Sequence, residues 1–109
     1  MSEGSPSSKD LEKALSLAKK AQETRPEDPS VLDTLGWIYF KIGDTTTALT
    51  YLSKAAAKAP ENGLMNYHMG MASHKSGKMK EAKEYFKKAV ESPMTFDQKE
   101  DAKKMLSQM

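Results

Sequence analysis

Apolar residues recur at three- and four-residue intervals along most of the chain, the spacing of one face of an α-helix, and no strand is needed to account for them. Leu11, Ala14, Leu15, Ala18 and Ala21 form one such stripe, and Ala102, Met105, Leu106 and Met109 form another. Start and stop signals divide the chain between them. Asp28 caps a helix whose first residue is Pro29, where a missing N–H costs nothing, and Gly43 ends it in a left-handed conformation. Asp44 caps the next helix and Pro60 closes it. The same grammar returns with Asn62 as cap, Gly77 as stop and a further helix that Pro93 ends. Thr95 and Gln98 read as a capping box for a last helix reaching nearly to Met109; Ser7 and Asp10 read as a weaker one for the first, which runs to about Thr24. The pattern therefore predicts six helices of roughly 12–17 residues, each about 18–25 Å long.

These helices repeat. A frame of Leu32, Leu35, Gly36, Tyr39, Ala48, Leu52, Ala55 and Pro60, advanced by 34, lands on Asn66, Met69, Gly70, Ser73, Ala82, Phe86, Ala89 and Met94. Glycine falls on glycine and alanine on alanine, and Pro93 lies one residue short of the expected proline. Moved back by 34, the later members of the frame reach Ala14, Ala18, Ala21 and Pro26. Gly36 and Gly70 lie inside helices, where each costs about 1 kcal/mol relative to alanine. A cost that recurs at the same position needs a reason. With Ala48, Ala55, Ala82 and Ala89, the two glycines let antiparallel helices approach closely while Leu35, Tyr39, Leu52, Met69 and Phe86 fill the space around them.

Composition narrows the possibilities. A chain of 109 residues hides only about 60–70% of the surface that its unfolded form exposes, which disfavours a deep catalytic cleft between subdomains and favours binding on a surface or groove. Without cysteine there are no disulfides, thiolate zinc sites, iron–sulfur clusters or thiol nucleophiles. No apolar run approaches the ~18–20 residues of a membrane span, and Met1–Ser8 lacks the regions of a signal peptide, so the chain reads as soluble. Residues 1–54 hold seven Lys/Arg against eight Asp/Glu and residues 55–109 ten against seven, an asymmetry too small to imply nucleic acid. Lys75, Lys78, Lys80, Lys83, Lys87 and Lys88 make one basic run, but Glu81, Glu84 and Glu91 interleave with it and Glu84 can pair with Lys88, so it reads as a solvated face. His68 and His74 stand six apart, about 240° around a helix, which is wrong for a metal pair. No carboxylate pair, nucleophile with an adjacent base or glycine-rich phosphate loop is visible, so neither enzyme, metal nor cofactor is expected.

The frame resembles the tetratricopeptide repeat family, whose 34-residue helix–turn–helix unit carries a Leu-Gly pair, a Tyr, an Ala, an aromatic or Leu, a second Ala and a terminal Pro. Residues 29–62 match nearly throughout; residues 63–96 match more loosely, with Ser73 where the family usually has Tyr. Residues 8–26 are similar to the second helix of a unit. The resemblance implies an all-α, right-handed solenoid of antiparallel helix pairs: 8–26 a partial repeat, 29–62 a repeat, 63–94 a repeat and 95–109 a capping helix. Residues 1–7 are expected to be a disordered leader or a cloning remnant. The runs Pro29 to Trp37 and Asn66 to Ala72 are similar, more narrowly, to the C-terminal units of long bacterial repeat proteins, some of which work in the cell envelope in polysaccharide export and exosortase systems. On that reading the chain is the tail of a larger array, cytoplasmic, or periplasmic if it belongs to an envelope protein.

In the family the first helix of each pair lines a concave groove in which peptides or partner domains bind. Carried over by the repeat frame, the groove positions are Ser30, Asp33, Trp37, Phe40 and Lys41 in one unit, then Leu64, Tyr67, His68, Met71, His74 and Lys75 in the next. Two readings of this aromatic set stand side by side: Trp37 and Phe40 are core under the neighbouring pair, or they anchor an apolar segment of a partner. Some members clamp a C-terminal carboxylate with Lys and Asn. Asp33, Trp37, Tyr67 and Met71 stand in those places, which argues against that mode. The expected function is a non-catalytic scaffold for a protein or peptide partner. Two alternatives stand behind it: self-association, a homodimer through the first helix, whose apolar stripe has a neighbour on one flank alone, and, ranked below that, nucleic-acid binding through the lysine run.

Overall fold

The computed structural model describes residues 8–109; the leader expected over 1–7 and the cap expected at Ser7 lie outside the described residues. Six helices follow one another: α1 Ser8–Thr24, α2 Pro29–Ile42, α3 Thr45–Lys58, α4 Gly63–Lys75, α5 Met79–Glu91 and α6 Lys99–Gln108.

Their ends are set by short local hydrogen bonds. Asp28 Oδ1 accepts from the Ser30 N–H at 2.8 Å, so α2 starts with Pro29 already in the conformation that a first turn wants. Gly43 takes φ 106° and donates its N–H to the carbonyls of Tyr39 and Phe40, which turns the chain straight into α3. There Asp44 Oδ1 accepts from the Thr47 N–H at 3.1 Å while the Thr47 hydroxyl donates to Asp44 Oδ2. Asn62 caps α4 in the same way, accepting from the Met65 N–H at 3.0 Å.

The last connection departs from expectation. Thr95 and Gln98 do not form a capping box, and α6 begins at Lys99 with no side-chain cap. Ser92 organises this stretch instead: its hydroxyl donates to the Glu61 carbonyl and accepts from the Met94 N–H, while Lys99 Nζ donates to the carbonyls of Ser92 and Met94. With Phe96 drawn against Gly63, residues 93–98 serve this anchoring rather than a helical turn.

The helices pack as sequential antiparallel pairs, each on the next, and α4 also touches α2 and α6. Side by side, α2, α4 and α6 thus make one wall, with α1, α3 and α5 behind it. The seams between them hold the core. Leu35, Ala48, Leu52, Ala55, Ala82, Phe86 and Ala89 are fully buried, and Leu32, Gly36, Met69 and Gly70 nearly so. Burying each of the large side chains stabilises the fold by about 1.5–3 kcal/mol. Tyr39 is half-buried with its ring stacked on Tyr51 at 5.7 Å. Pro60 is exposed and seals no seam; its carbonyl accepts from the Asn66 side chain at 3.0 Å.

Both internal glycines mark places where one helix presses into another. A Cβ on Gly36 would lie 2.6 Å from Leu52 Cγ and 3.0 Å from the Leu52 backbone nitrogen, and one on Gly70 would lie 2.8 Å from the Phe86 ring. Gly36→Ala is therefore expected to destabilise the protein by about 1–3 kcal/mol in urea unfolding, even though alanine is the better helix former, because the overpacking outweighs the propensity gain.

Candidate interaction surface

On the wall, α4 is joined to α2 by one polar contact and to α6 by another. Asp33 reaches from α2 to His68 on α4, with its carboxylate oxygens 2.9 and 3.0 Å from Nδ1. An ionised carboxylate only accepts, so Nδ1 carries the proton that is shared between the two oxygens. Both residues are buried, 8% and 6% exposed, and neither is free for a ligand. Tyr67, also 6% exposed, donates its hydroxyl to Asp101 Oδ2 on α6 at 2.5 Å, its ring tilted against Phe86 and Phe96. Burial, and then the hydrogen bond and negative charge of Asp101, push the Tyr67 phenol well above its ordinary value.

Aromatic rings cover this polar pair. The half-buried Trp37 stacks on His68 at 4.0 Å between centroids and on Phe40 at 4.8 Å, and Lys41 Nζ lies 5.7 Å from the Trp37 ring centre. Met71 is half-buried against the seam between α4, α5 and α6.

The groove positions expected from the sequence thus separate into three groups. Asp33, Tyr67 and His68 join helices to one another. Trp37, Phe40, Lys41 and Met71 keep accessible surface, as does Leu64. His74 faces a different place, a cleft of about 420 Å³ shared with Met79, Lys80, Lys83, Gln108 and Met109, and Lys75 is exposed beside it. All six lysines of the basic run are exposed, and Lys88 lies over the Tyr85 ring at 5.2 Å rather than on Glu84. Among the described residues no three His, Cys, Asp or Glu side chains gather as metal ligands would.

The two polar joints were not foreseen, although a signal for them exists. Residues 33, 67 and 101 occupy one repeat position on α2, α4 and α6, reading Asp, Tyr, Asp. Acids on the two outer helices flank the one between, and each finds a ring there.

Helix pairs stacked in register, each on the next, define a helical-repeat protein. Residues 31–62 and 65–93 each match the tetratricopeptide repeat family, and the chain belongs to it. Repeats of this family typically mediate protein–protein interactions and are generally non-catalytic. The chain is 37% identical over 49 residues to a tetratricopeptide-repeat-containing protein of Pseudomonas aeruginosa, covering 45% of this chain and 8% of that protein. It is 40% identical over 52 residues to the mouse interferon-induced protein with tetratricopeptide repeats 2, covering 45% of this chain and 11% of that one. The matches thus span about a tenth of the length of these relatives. In fold it is similar to the type III secretion translocator chaperone SycD of Yersinia enterocolitica, with a TM-score of 0.66 over 94% of this chain and 92% of that one at 18% identity. No helix among the described residues is long and apolar enough to cross a membrane.

The raised Tyr67 phenol makes a statement about stability. The folded state holds this proton more tightly than the unfolded state, so the stabilisation is complete below the ordinary value of 10.0 and is lost as pH climbs above it. In urea unfolding at about pH 8 and about pH 11, the wild type is expected to lose more stability than Tyr67→Phe, which has no proton to give up.

Proposed function

We propose that this chain is a non-catalytic scaffold that binds a polypeptide segment along the wall of α2, α4 and α6, with Trp37, Phe40 and Met71 as its apolar anchors and Lys41 as a nearby charge. The observation that carries this reading is the ring stack of Trp37 on His68 and Phe40. A large aromatic side chain is held in one orientation by a buried, hydrogen-bonded support and still keeps part of its surface open. Such a ring costs little further ordering when a partner arrives, and aromatic anchors of this kind dominate binding energies. The family's habit of binding proteins supports the reading, as does the likeness to a fold whose named representative is a chaperone. On this account Asp33, His68 and Tyr67 act as supports, and His74 and Lys75 lie at the margin.

Peptides selected from a random displayed library against the chain are expected to perturb the amide resonances of Trp37, Phe40 and Met71. Trp37→Ala should weaken the selected peptides about tenfold or more, with a smaller change in unfolding free energy than in binding free energy. Equal losses in both would make Trp37 a core residue and end the proposal.

A second reading rests on α1. Among the described helices its backbone approaches α2 alone, and Leu17 is 66% exposed, the highest of the large apolar residues described. A second copy seated there would cover it. Sedimentation at rising concentration is expected to show self-association that Leu17→Glu abolishes; a concentration-independent monomer removes this alternative.

A further inference from the structure

We propose that the gap between α3 and α5, on the side of the molecule away from the wall of α2, α4 and α6, receives one tyrosine side chain of a partner polypeptide. No Cα of α3 comes within 8 Å of α5, and α4 forms the floor between them. The cavity there is about 290 Å³, bounded by Leu49, Thr50 and Ser53 of α3, Met69 and Ser73 of α4, and Tyr85 of α5. An enclosed cavity of about 150 Å³ already holds a benzene ring, so one phenol fits.

The repeat itself shows what is missing. One period earlier these positions are Leu15, Ser16, Lys19, Leu35, Tyr39 and Tyr51. There the corresponding seam of α1, α2 and α3 is packed with Leu15, Leu35, Tyr39 and Tyr51 together, and the ring of Tyr39 lies parallel to that of Tyr51, 5.7 Å away at 3°. In the later unit Tyr85 keeps its ring, but Ser73 stands where Tyr39 stood. The ring that fills the earlier seam is thus absent here, beside a cleft bounded by the Tyr85 ring, on which a second ring can stack.

A second observation gives the ligand its polarity. Ser73 is fully buried, its hydroxyl has no hydrogen-bond partner, and it lines this cavity. A buried hydroxyl without a partner is costly and rare in folded proteins. Ser73 has no accessible surface while the cleft is empty, so an entering tyrosine leads with its own hydroxyl and reaches the Ser73 hydroxyl as the side chains over it yield; phenylalanine has no group to offer there. Lys78 and Glu81 on the rim are both exposed and of opposite sign, so the opening favours neither a cationic nor an anionic ligand. The occupant is not a folded copy of this chain, because none of its four tyrosines is exposed.

The probes are p-cresol, toluene and N-acetyltyrosinamide, titrated into the full chain while the backbone amide resonances are followed. Both p-cresol and N-acetyltyrosinamide are expected to shift Met69, Ser73 and Tyr85, with dissociation constants on the order of 1 mM, as suits ligands of so few atoms, and toluene about fivefold more weakly. Ser73→Tyr should supply the missing ring from within, raise the unfolding midpoint and abolish all three. Ser73→Ala, which removes the hydroxyl without filling the space, should keep ring binding and lose the preference for p-cresol over toluene; it also serves if the larger substitution fails to fold. No shift at these amides at about ten times the expected dissociation constant overturns the proposal, as does unchanged binding to folded Ser73→Tyr. Equal affinity of the wild type for p-cresol and toluene overturns the role of the Ser73 hydroxyl. Binding of p-cresol without N-acetyltyrosinamide overturns a polypeptide as the source.

Discussion

The separation of the two helices in each hairpin is set where a glycine on the first meets a bulky side chain on the second. Leu52 lies over Gly36, and Phe86 lies over Gly70, at distances that leave no room for a single additional carbon. Since the two contacts are one period apart, they give both hairpins the same depth and allow the hairpins to stack in register. Every other interaction on the wall depends on that register. Asp33 meets His68, and Tyr67 meets Asp101, because the period returns the same helix face to the same height on α2, α4 and α6. A helix displaced outward by a methyl group would put these short hydrogen bonds out of reach before it exposed the core.

Such polar joints also change what the wall is made of. A buried carboxylate and imidazole satisfy each other only in one relative placement of α2 and α4, whereas apolar side chains at the same positions would tolerate sliding. Trp37 stacked upon the pair inherits that precision. The scaffold reading draws its strength from this point: an anchor is useful when its orientation is settled before a partner arrives, and here a hydrogen bond beneath the ring settles it.

Most of the architecture was legible because it is written in local signals repeated at fixed distance. Asp28, Gly43, Asp44 and Asn62 act through bonds to residues two to four positions away, so their roles follow from the sequence beside them. The beginning of α6 was misplaced for the opposite reason. Ser92 and Lys99 bind carbonyls on an irregular loop, and the Ser92 hydroxyl reaches the Glu61 carbonyl thirty-one residues earlier, a contact that no local rule announces. At the surface, the repeat frame gives each residue's position on its helix but not how deeply it is covered or what lies beside it. Tyr67 is hidden because α6 lies over it, and His74 is diverted because the ends of α5 and α6 form a cleft beside it. Both depend on the helix after the last full repeat, whose packing the period does not specify.

A repeat protein can change one unit without disturbing its neighbours, since each hairpin touches only those beside it. Positions that break the pattern without breaking the stacking are therefore places to look for something other than stability. The change from Tyr39 to Ser73 is of this kind. The hairpin still closes, because Phe86 and Gly70 set its spacing, while the side chain that fills the equivalent seam one unit earlier is replaced by a small group with an unanswered hydroxyl. Had packing alone been at stake, a buried alanine would have left the same space without the polar cost. A hydroxyl at that depth is compensated when something able to hydrogen-bond reaches it, and the tyrosine proposed for the cleft would bring such a group.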